Sequence, residues 1–223
     1  MLPEYENLSR SSTRHGSSTS TNLTIIEEDH AGVEVSQLYE HFRSTFGRPD
    51  IPGLLKCFAT HPPLLPHMMD LAESLLFADG YLIRRHKEMI ATLISSQNAC
   101  PYCADSHGYF LRVHGGSAEA LSAIQQNNLG SLSLTAAEQA LLRFAEQVNR
   151  SSHAITRGDV ELLAESGWSE LQIAEAVHIA ALFATFNRVA NAFGLPAQGL
   201  LALYERGRVT DQADSPHRER NGQ

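Results

Sequence analysis

Residues 88–116, EMIATLISSQNACPYCADSHGYFLRVHGG, contain the pattern that decides the expected fold and chemistry of this chain. Cys100 and Cys103 form a Cys-x-x-Cys motif, and His107 follows four residues after the second cysteine. Glu88 lies twelve residues before the first cysteine. Two thiols and an imidazole this close in sequence indicate a redox site, because the thiolate is the reactive form of cysteine and a neighbouring base can generate it.

The Cys-x-x-Cys motif is expected at the start of a helix. Pro101 favours the first helical position, since its ring fixes φ and its missing N–H would have no partner there. Cys100 is then the N-cap, and Gly115 and Gly116 are expected to end the helix after about Val113. Side chains separated by three, four or seven residues share one face of a helix, which predicts that both thiols and the imidazole lie on the same face.

The preceding segment, Arg84–Gln97, is predicted to be a helix with one apolar face and one face of small polar residues. Small side chains let a neighbouring helix approach closely. We therefore expect this polar face to meet the thiol-bearing helix and to bury Glu88 beside the thiols. The polar face consists of Glu88, Thr92, Ser95 and Ser96.

The rest of the chain has apolar residues at helical spacing, and no segment shows the alternation of a strand. This pattern predicts an all-α domain. The longest predicted helix, Ser169–Phe193, is almost wholly apolar from Ile173 to Phe186, which suits a buried central helix or an oligomer interface. The other predicted helices are Val33–Phe46, Ile51–Thr60, Leu64–Ala78, Ser117–Gln125, Thr135–Val148 and Thr156–Ser166.

Composition divides the chain into three parts. Residues 1–22 are rich in Ser and Thr and can bury little apolar surface, so we expect a disordered tail. Residues 23–204 form the helical domain, and residues 205–223 form a polar C-terminal tail.

The charge and composition exclude several partners. The formal net charge is −8 without a basic stripe, so nucleic acid is not expected. No run approaches the roughly 18 apolar residues of a membrane span, and the N-terminus lacks the apolar core of a secretory signal. Three cysteines do not indicate a disulfide framework, so we expect a reducing, cytoplasmic location. Cys57 is expected to be a packed core thiol.

Other uses of the cysteine pair fit less well. A c-type haem site needs His directly after the second cysteine, where Ala104 stands. A structural zinc site needs four ligands, and the motif with His107 supplies three at most, so neither a metal nor another cofactor is expected. A thioredoxin-like motif follows a strand, and no strand is predicted here. Two packed thiols without chemistry remain an alternative.

A chemical role for each group follows from its position. A free cysteine has a pKa of about 8.5, and the unpaired N–H groups of a helix N-terminus lower it, which favours Cys100 as the more acidic thiol. His107 can accept or relay a proton, and a buried Glu88 can orient its ring. A sulfenic acid formed on one cysteine can condense with the other to a disulfide.

The spacing of Glu88, the Cys100–Cys103 pair and His107 resembles that of the alkylhydroperoxidase D-like branch of the carboxymuconolactone decarboxylase superfamily. The resemblance extends from about Ile25 to Leu195. Weaker similarities to peroxidase-related proteins of that branch lie at Thr45–Arg48, Ala59–Pro62 and Phe186–Val189.

The resemblance implies an oligomeric, all-helical bundle and a thiol peroxidase that uses no cofactor. Its substrates would be organic hydroperoxides or hydrogen peroxide, and an unknown dithiol would reduce it. By the same resemblance, Cys103 attacks the peroxide, Cys100 resolves the product, and Glu88 and His107 relay protons. The resemblance thus makes Cys103 the attacking thiol, whereas the helix N-terminus favours Cys100 as the more acidic one.

One position departs from the best-known members, which carry His immediately before the second cysteine where this chain has Tyr102. A phenol has a pKa of about 10 and is a poor base at neutral pH. Two alternatives therefore stay open: a redox-responsive or assembly protein with little turnover, and a non-redox lyase or isomerase. A homo-oligomer is expected, whether dimer, trimer or hexamer.

Overall fold

The computed structural model describes residues 21–206, and all regular structure in this range is helical, which confirms the predicted all-α fold. Residues 1–20 and 207–223 lie outside the described part. The predicted disorder of residues 1–22, the polar tail 205–223 and the domain limits therefore stay predictions.

The described part contains the following α-helices, numbered in chain order. They are α1 (Val33–Phe46), α2 (Gly53–Phe58), α3 (Leu65–Ala72), α4 (Arg84–Gln97), α5 (Pro101–Val113), α6 (Ala118–Gln125), α7 (Ala136–Ser151), α8 (Arg157–Glu165), α9 (Glu170–Phe193) and α10 (Leu200–Glu205).

Local signals explain where most of these helices begin and end. Helix α5 starts at Pro101 as predicted, with Cys100 in an extended conformation before it. Helix α1 ends at Gly47, whose φ of 62° lies in the left-handed region that glycine adopts without strain. Helices α7 and α9 begin with capping boxes on Thr135 and Ser169. In each box the side chain of the capping residue accepts from the backbone N–H three residues later, and the side chain of that later residue accepts from the N–H of the capping residue.

The helix predicted over residues 64–78 is interrupted. Helix α3 passes into a π-helical turn at Glu73–Phe77, where the N–H of Ala78 donates to the carbonyl of Glu73. The ammonium of Lys87 donates to the carbonyls of Leu75 (2.9 Å) and Ala78 (3.1 Å). A buried lysine from α4 thus satisfies carbonyl groups that the wider turn leaves free, a contact that local sequence does not reveal.

Helix α10 was not predicted, because its N-terminus depends on a distant residue. The Asp105 carboxylate on α5 accepts from the backbone N–H groups of Leu200 (3.0 Å) and Leu201 (3.2 Å). A carboxylate at this position satisfies orphan donors and interacts favourably with the helix dipole. The contact fixes α10 against α5.

Helices α4 and α9 form the centre of the bundle. Every residue of α4 from Lys87 to Ser95 is buried, and α4 packs against α5, α6, α7 and α9. Helix α9 contributes Phe183 to the main core, Phe186 to a second core with α1–α3, and Ala190 to a third cluster around the cysteines. The helix therefore occupies the central position that was one of its two predicted roles, and its role in an oligomer interface stays a prediction.

Helix α9 differs from the expectation that no segment is long and apolar enough to span a membrane. Its length and composition would allow it to cross a membrane, whereas no segment was expected to do so. In this structure 56% of its most apolar window is buried against other helices. A core helix meets the same criterion of length and hydropathy.

Candidate functional site

The junction of α4 and α5 contains a chain of three charged or polar groups with a buried carboxylate at its centre. The Glu88 side chain is fully shielded from solvent, as predicted. Its Oε1 accepts from Arg84 Nε at 2.6 Å, and its Oε2 lies 2.7 Å from His107 Nδ1. These bonds use both carboxylate oxygens and hold the imidazole in one orientation.

The electrostatics of this junction favour an ionised carboxylate. Burial raises the pKa of Glu88, but the charges and hydrogen bonds of His107 and Arg84 outweigh it and hold the pKa below its ordinary value. Arg84 was not identified from the sequence as a site residue. The signal was its position four residues before Glu88, where opposite charges meet on one helix face.

The two motif cysteines lie in a different environment. Cys100 and Cys103 are only 1% and 2% exposed, and they pack with Cys57, Tyr102 and Leu195. All three cysteines of the chain are free thiols in this structure. The site thiols are therefore in an apolar cluster, where hydrogen bonding decides which of them ionises.

The two thiols differ in acidity because of their hydrogen bonds. The Cys103 thiol donates to the Cys100 sulfur, and this hydrogen bond is the main cause that lowers the pKa of Cys100 to about 7. The backbone N–H groups of Cys103 and Tyr102 and the Asn187 side chain also lower this pKa, whereas burial raises it. The same hydrogen bond, burial and the Cys100 charge raise the pKa of Cys103. Cys100 is thus the more acidic thiol, which agrees with the prediction from its position at the N-terminus of α5.

Asn187 is a site residue that the sequence reasoning missed. It is fully buried on α9, its amide hydrogen-bonds to both thiols, and it donates to the Ser95 hydroxyl at 3.1 Å. Its Oδ1 accepts from Asn98 at 3.1 Å. An amide side chain within a buried, apolar helix was the available signal.

The structure separates groups that were expected to form one cluster. No hydrogen bond joins His107 to either thiol in the described part of the chain. Instead, the His107 ring packs edge-on against Phe183, with ring centroids 4.5 Å apart, and faces a pocket. Glu88 is paired with Arg84 and His107 rather than with the thiols. The reason is that Cys100 and Cys103 pack with Ala190, near the end of α9, while His107 packs against Phe183, two turns earlier on α9, and pairs with Glu88 on α4.

The pocket has a volume of about 160 Å³ and is lined by α1, α2, α3 and α5 with parts of the π-helical turn, α4, α9 and α10. His107, Arg84 and Tyr102 line it, whereas Cys100 and Cys103 do not. Tyr102 belongs both to this lining and to the thiol cluster. Its ring therefore forms a wall between the pocket and the thiols.

The third cysteine, Cys57, is a buried thiol, and the described residues do not form a cluster that could bind a metal ion. Burial raises the pKa of Cys57 to about 12, which keeps it a neutral, packed thiol and agrees with the expected core role. Within residues 21–206, no group of three His, Cys, Asp or Glu side chains is placed to hold a metal ion.

Comparison with known proteins supports the resemblance noted from the motif. The sequence profile of the carboxymuconolactone decarboxylase family matches residues 62–147, which include the whole Glu–Cys-x-x-Cys–His pattern. No curated protein sequence matches the chain.

Two solved structures of peroxidase-related proteins are similar in fold and sequence. An alkylhydroperoxidase AhpD core, an uncharacterized peroxidase-related protein from Ralstonia eutropha JMP134, is 25% identical with a TM-score of 0.74, over 86% of this chain and 99% of its own. An uncharacterized peroxidase-related protein from Silicibacter sp. TM1040 is 25% identical with a TM-score of 0.71, over 83% of this chain and 98% of its own.

A third neighbour has another activity on the same fold. A cysteine-to-alanine variant of the debrominase Bmp8, in complex with 2,3,4-tribromopyrrole, is 18% identical with a TM-score of 0.67, over 86% of this chain and 100% of its own. At this identity the likeness extends to the fold alone.

Fold, motif and neighbours define a peroxidase-related, all-helical protein. More specifically, the family match over residues 62–147 and the two peroxidase-related neighbours support the alkylhydroperoxidase D-like branch of the carboxymuconolactone decarboxylase superfamily.

Proposed function

We propose that this protein is a thiol-dependent peroxidase that reduces organic hydroperoxides or hydrogen peroxide through Cys103 and Cys100. One observation carries the proposal: a hydrogen-bonded thiol pair in which the pKa of Cys100 is about 7. The pair holds one negative charge near neutral pH, which is the state that attacks a peroxide.

The proposed reaction has two steps on the protein. The Cys103 thiolate attacks one peroxide oxygen, so that an S–O bond forms, the O–O bond breaks and the alcohol or water leaves with a proton. Cys103 is thereby oxidised to a sulfenic acid. The Cys100 thiolate then attacks the Cys103 sulfur, forming the disulfide and releasing water after protonation. A dithiol reductant returns two electrons and two protons to reopen the disulfide.

The acidity of Cys100 is compatible with attack by Cys103. Since the Cys103 thiol donates to the Cys100 sulfur, a proton that moves along this bond transfers the negative charge to Cys103. Cys100 then acts as the base for its partner before it acts as the resolving thiol. We infer that the peroxide reaches Cys103 from the pocket past the Tyr102 ring, and that His107, which lines the pocket and is held by Glu88, supplies the proton for the leaving oxygen.

The proposal includes the setting of the enzyme. We place it in the cytoplasm, as a homo-oligomer of two, three or six subunits, with a peroxide as substrate and a dithiol as reductant. We expect no nucleic-acid, membrane, metal or cofactor partner.

Peroxide-dependent oxidation of the reduced protein tests the proposal. Rapid loss of two thiols, with a Cys100–Cys103 link located by mass spectrometry, is the expected result. Cys103→Ser should abolish turnover, and Cys100→Ser should trap a sulfenic acid on Cys103. Full activity in Cys103→Ser, or a sulfenic acid on Cys100, would reverse the two roles, and two inert thiols would exclude the peroxidase.

A redox-responsive or assembly protein is the second candidate function. The observation in its favour is that both thiols are buried and are separated from the pocket by Tyr102. Disulfide formation would then alter packing against α9 instead of turning over substrate. An oligomeric state that is the same in oxidised and reduced protein, measured by light scattering, would count against this function.

A non-redox lyase or isomerase is the third candidate. It is favoured by the position of His107, which lines the pocket together with Arg84 while the thiols do not. Acid–base chemistry at His107 needs neither cysteine. An activity that survives alkylation of both thiols would support this function, and its loss on alkylation would exclude it.

A further inference from the structure

The pocket beside His107 is largely apolar, and about half of its lining residues carry aromatic or sulfur-containing side chains. An apolar cavity of about 150 Å³ holds one benzene-sized molecule, so about 160 Å³ suits a ligand with a single ring or a short branched chain. The apolar lining includes Phe42, Phe46, Phe58, Met69, Phe77 and Phe186.

The charged groups on the pocket walls are all basic. The lining contains Arg48, Arg84 and His107, and it contains no carboxylate. The positive charge of Arg84 is paired with Glu88, and its guanidinium stacks over Phe77, with the Cζ atom 4.8 Å from the ring centroid. Of the two guanidinium groups in the pocket lining, that of Arg48 is therefore the one that no carboxylate in the described part of the chain neutralises.

Arg48 forms no ion pair with any residue in the range 21–206. Its charge reaches the pocket, because it acts on the Tyr102 phenol and opposes the burial that raises the pKa of Tyr102 to about 12. A guanidinium presents parallel N–H donors that match the two oxygens of a carboxylate, and the match strengthens next to an apolar wall.

We propose that this pocket binds a small, apolar organic acid of about one aromatic ring, with the carboxylate on Arg48 and the apolar body against the phenylalanine walls. The inference deepens the proposed function, on which it rests for the statement that the bound molecule is a substrate. The substrate class is then a hydroperoxide that carries an acidic group. A molecule held there lies against Tyr102, the residue that also contacts the thiol cluster.

Ligand binding to the reduced full-length protein, measured by calorimetry without peroxide, tests the inference. The probes are 4-isopropylbenzoate and its neutral counterpart, 4-isopropylbenzyl alcohol. We expect the acid to bind about tenfold more tightly than the alcohol, since only the acid pairs with Arg48. Arg48→Gln should remove this preference and leave alcohol binding unchanged.

Arg157→Gln is the matched control, because Arg157 lies on α8 with its side chain 92% exposed. It should retain the preference of the wild type for the acid. Equal affinity for both probes in the wild type, an unchanged preference in Arg48→Gln, or no binding of either probe overturns the inference. If Arg48→Gln does not fold, the comparison of the two probes on the wild type still decides.

The two proposals fail separately. A protein that binds the acid through Arg48 but reduces no hydroperoxide overturns the proposed function and leaves the binding site standing. A protein that reduces hydroperoxides but shows no preference for the acid overturns only the binding site.

Discussion

His107 Nδ1 lies 2.7 Å from Glu88 Oε2, at a carboxylate that is wholly shielded from solvent and also accepts from Arg84. The pair joins α4 to α5 at the level of the pocket. A buried carboxylate with two cationic or hydrogen-bonding partners contributes to stability as well as to chemistry, and both contributions can be measured.

Glu88→Gln should destabilise the protein by about 3 kcal/mol, because it leaves Arg84 and His107 without their buried counter-charge. The measurement is urea unfolding at neutral pH, followed by circular dichroism. Glu161→Gln is the matched control: it breaks an exposed ion pair with Arg157 on α8 and should cost less than about 1 kcal/mol. Equal costs for the two substitutions would contradict a structural role for the Glu88 pair.

The Glu88 carboxyl also predicts a pH dependence of stability. Its pKa in the folded protein lies below the ordinary value of 4.5, so its contribution is fully present above pH 4.5. The contribution is lost as the pH falls below 4.5 towards the folded pKa, since the unfolded chain then binds the proton more readily. Acid unfolding of the wild type should be steeper in this range than that of Glu88→Gln, and identical slopes would contradict the prediction.

The acidity of Cys100 predicts how reactivity changes with pH. Its thiolate should form with a midpoint near pH 7, measured by ultraviolet absorbance of the reduced protein. Cys103→Ala removes the thiol that donates to Cys100 and should raise this midpoint towards the ordinary value of 9. Cys57→Ala should leave the midpoint in place, since burial keeps the Cys57 thiol neutral. A midpoint unaffected by Cys103→Ala would mean that the two thiols do not interact.

Asn187 should support both the thiols and the packing of α9. Asn187→Ala removes donors to the two sulfurs and leaves Ser95 without its partner, so we expect slower oxidation by peroxide and a loss of about 1–3 kcal/mol of stability. Asn149→Ala is the control, because Asn149 bonds to Asn98 in the same network but is not among the groups that act on the thiols. The prediction fails if both variants oxidise at the same rate.

Tyr102 should limit access to the thiols. Tyr102→Ala removes the ring between the pocket and the thiol cluster, and a bulky maleimide should then modify the more acidic thiol, Cys100, faster than in the wild type. Tyr102→Phe keeps the ring and loses only a 3.4 Å contact of the hydroxyl with the Leu54 N–H, so its rate should match the wild type. Faster modification in Tyr102→Phe would show that the hydroxyl, rather than the ring, controls access.

Much of the fold followed from local patterns. The limits of α1, α4 and α5 agree with prediction because Gly47, Pro101 and the apolar spacing act within a few residues of each helix end. The π-helical turn and α10 were not predicted, because the hydrogen bonds that Lys87 and Asp105 make to them join positions far apart in the sequence.

Local spacing and side-chain type were enough to predict the helical class and the burial of Glu88. The grouping of the motif residues with Arg84 and Asn187 depends on how the helices pack, which local sequence does not reveal. Packing against α9 places Asn187 on the thiols, and packing against α4 directs His107 to Glu88 and the pocket. The physical reason is that one face of a helix can contact two neighbouring helices. The packing of those helices, rather than the residue spacing along the chain, then determines which side chains come into contact.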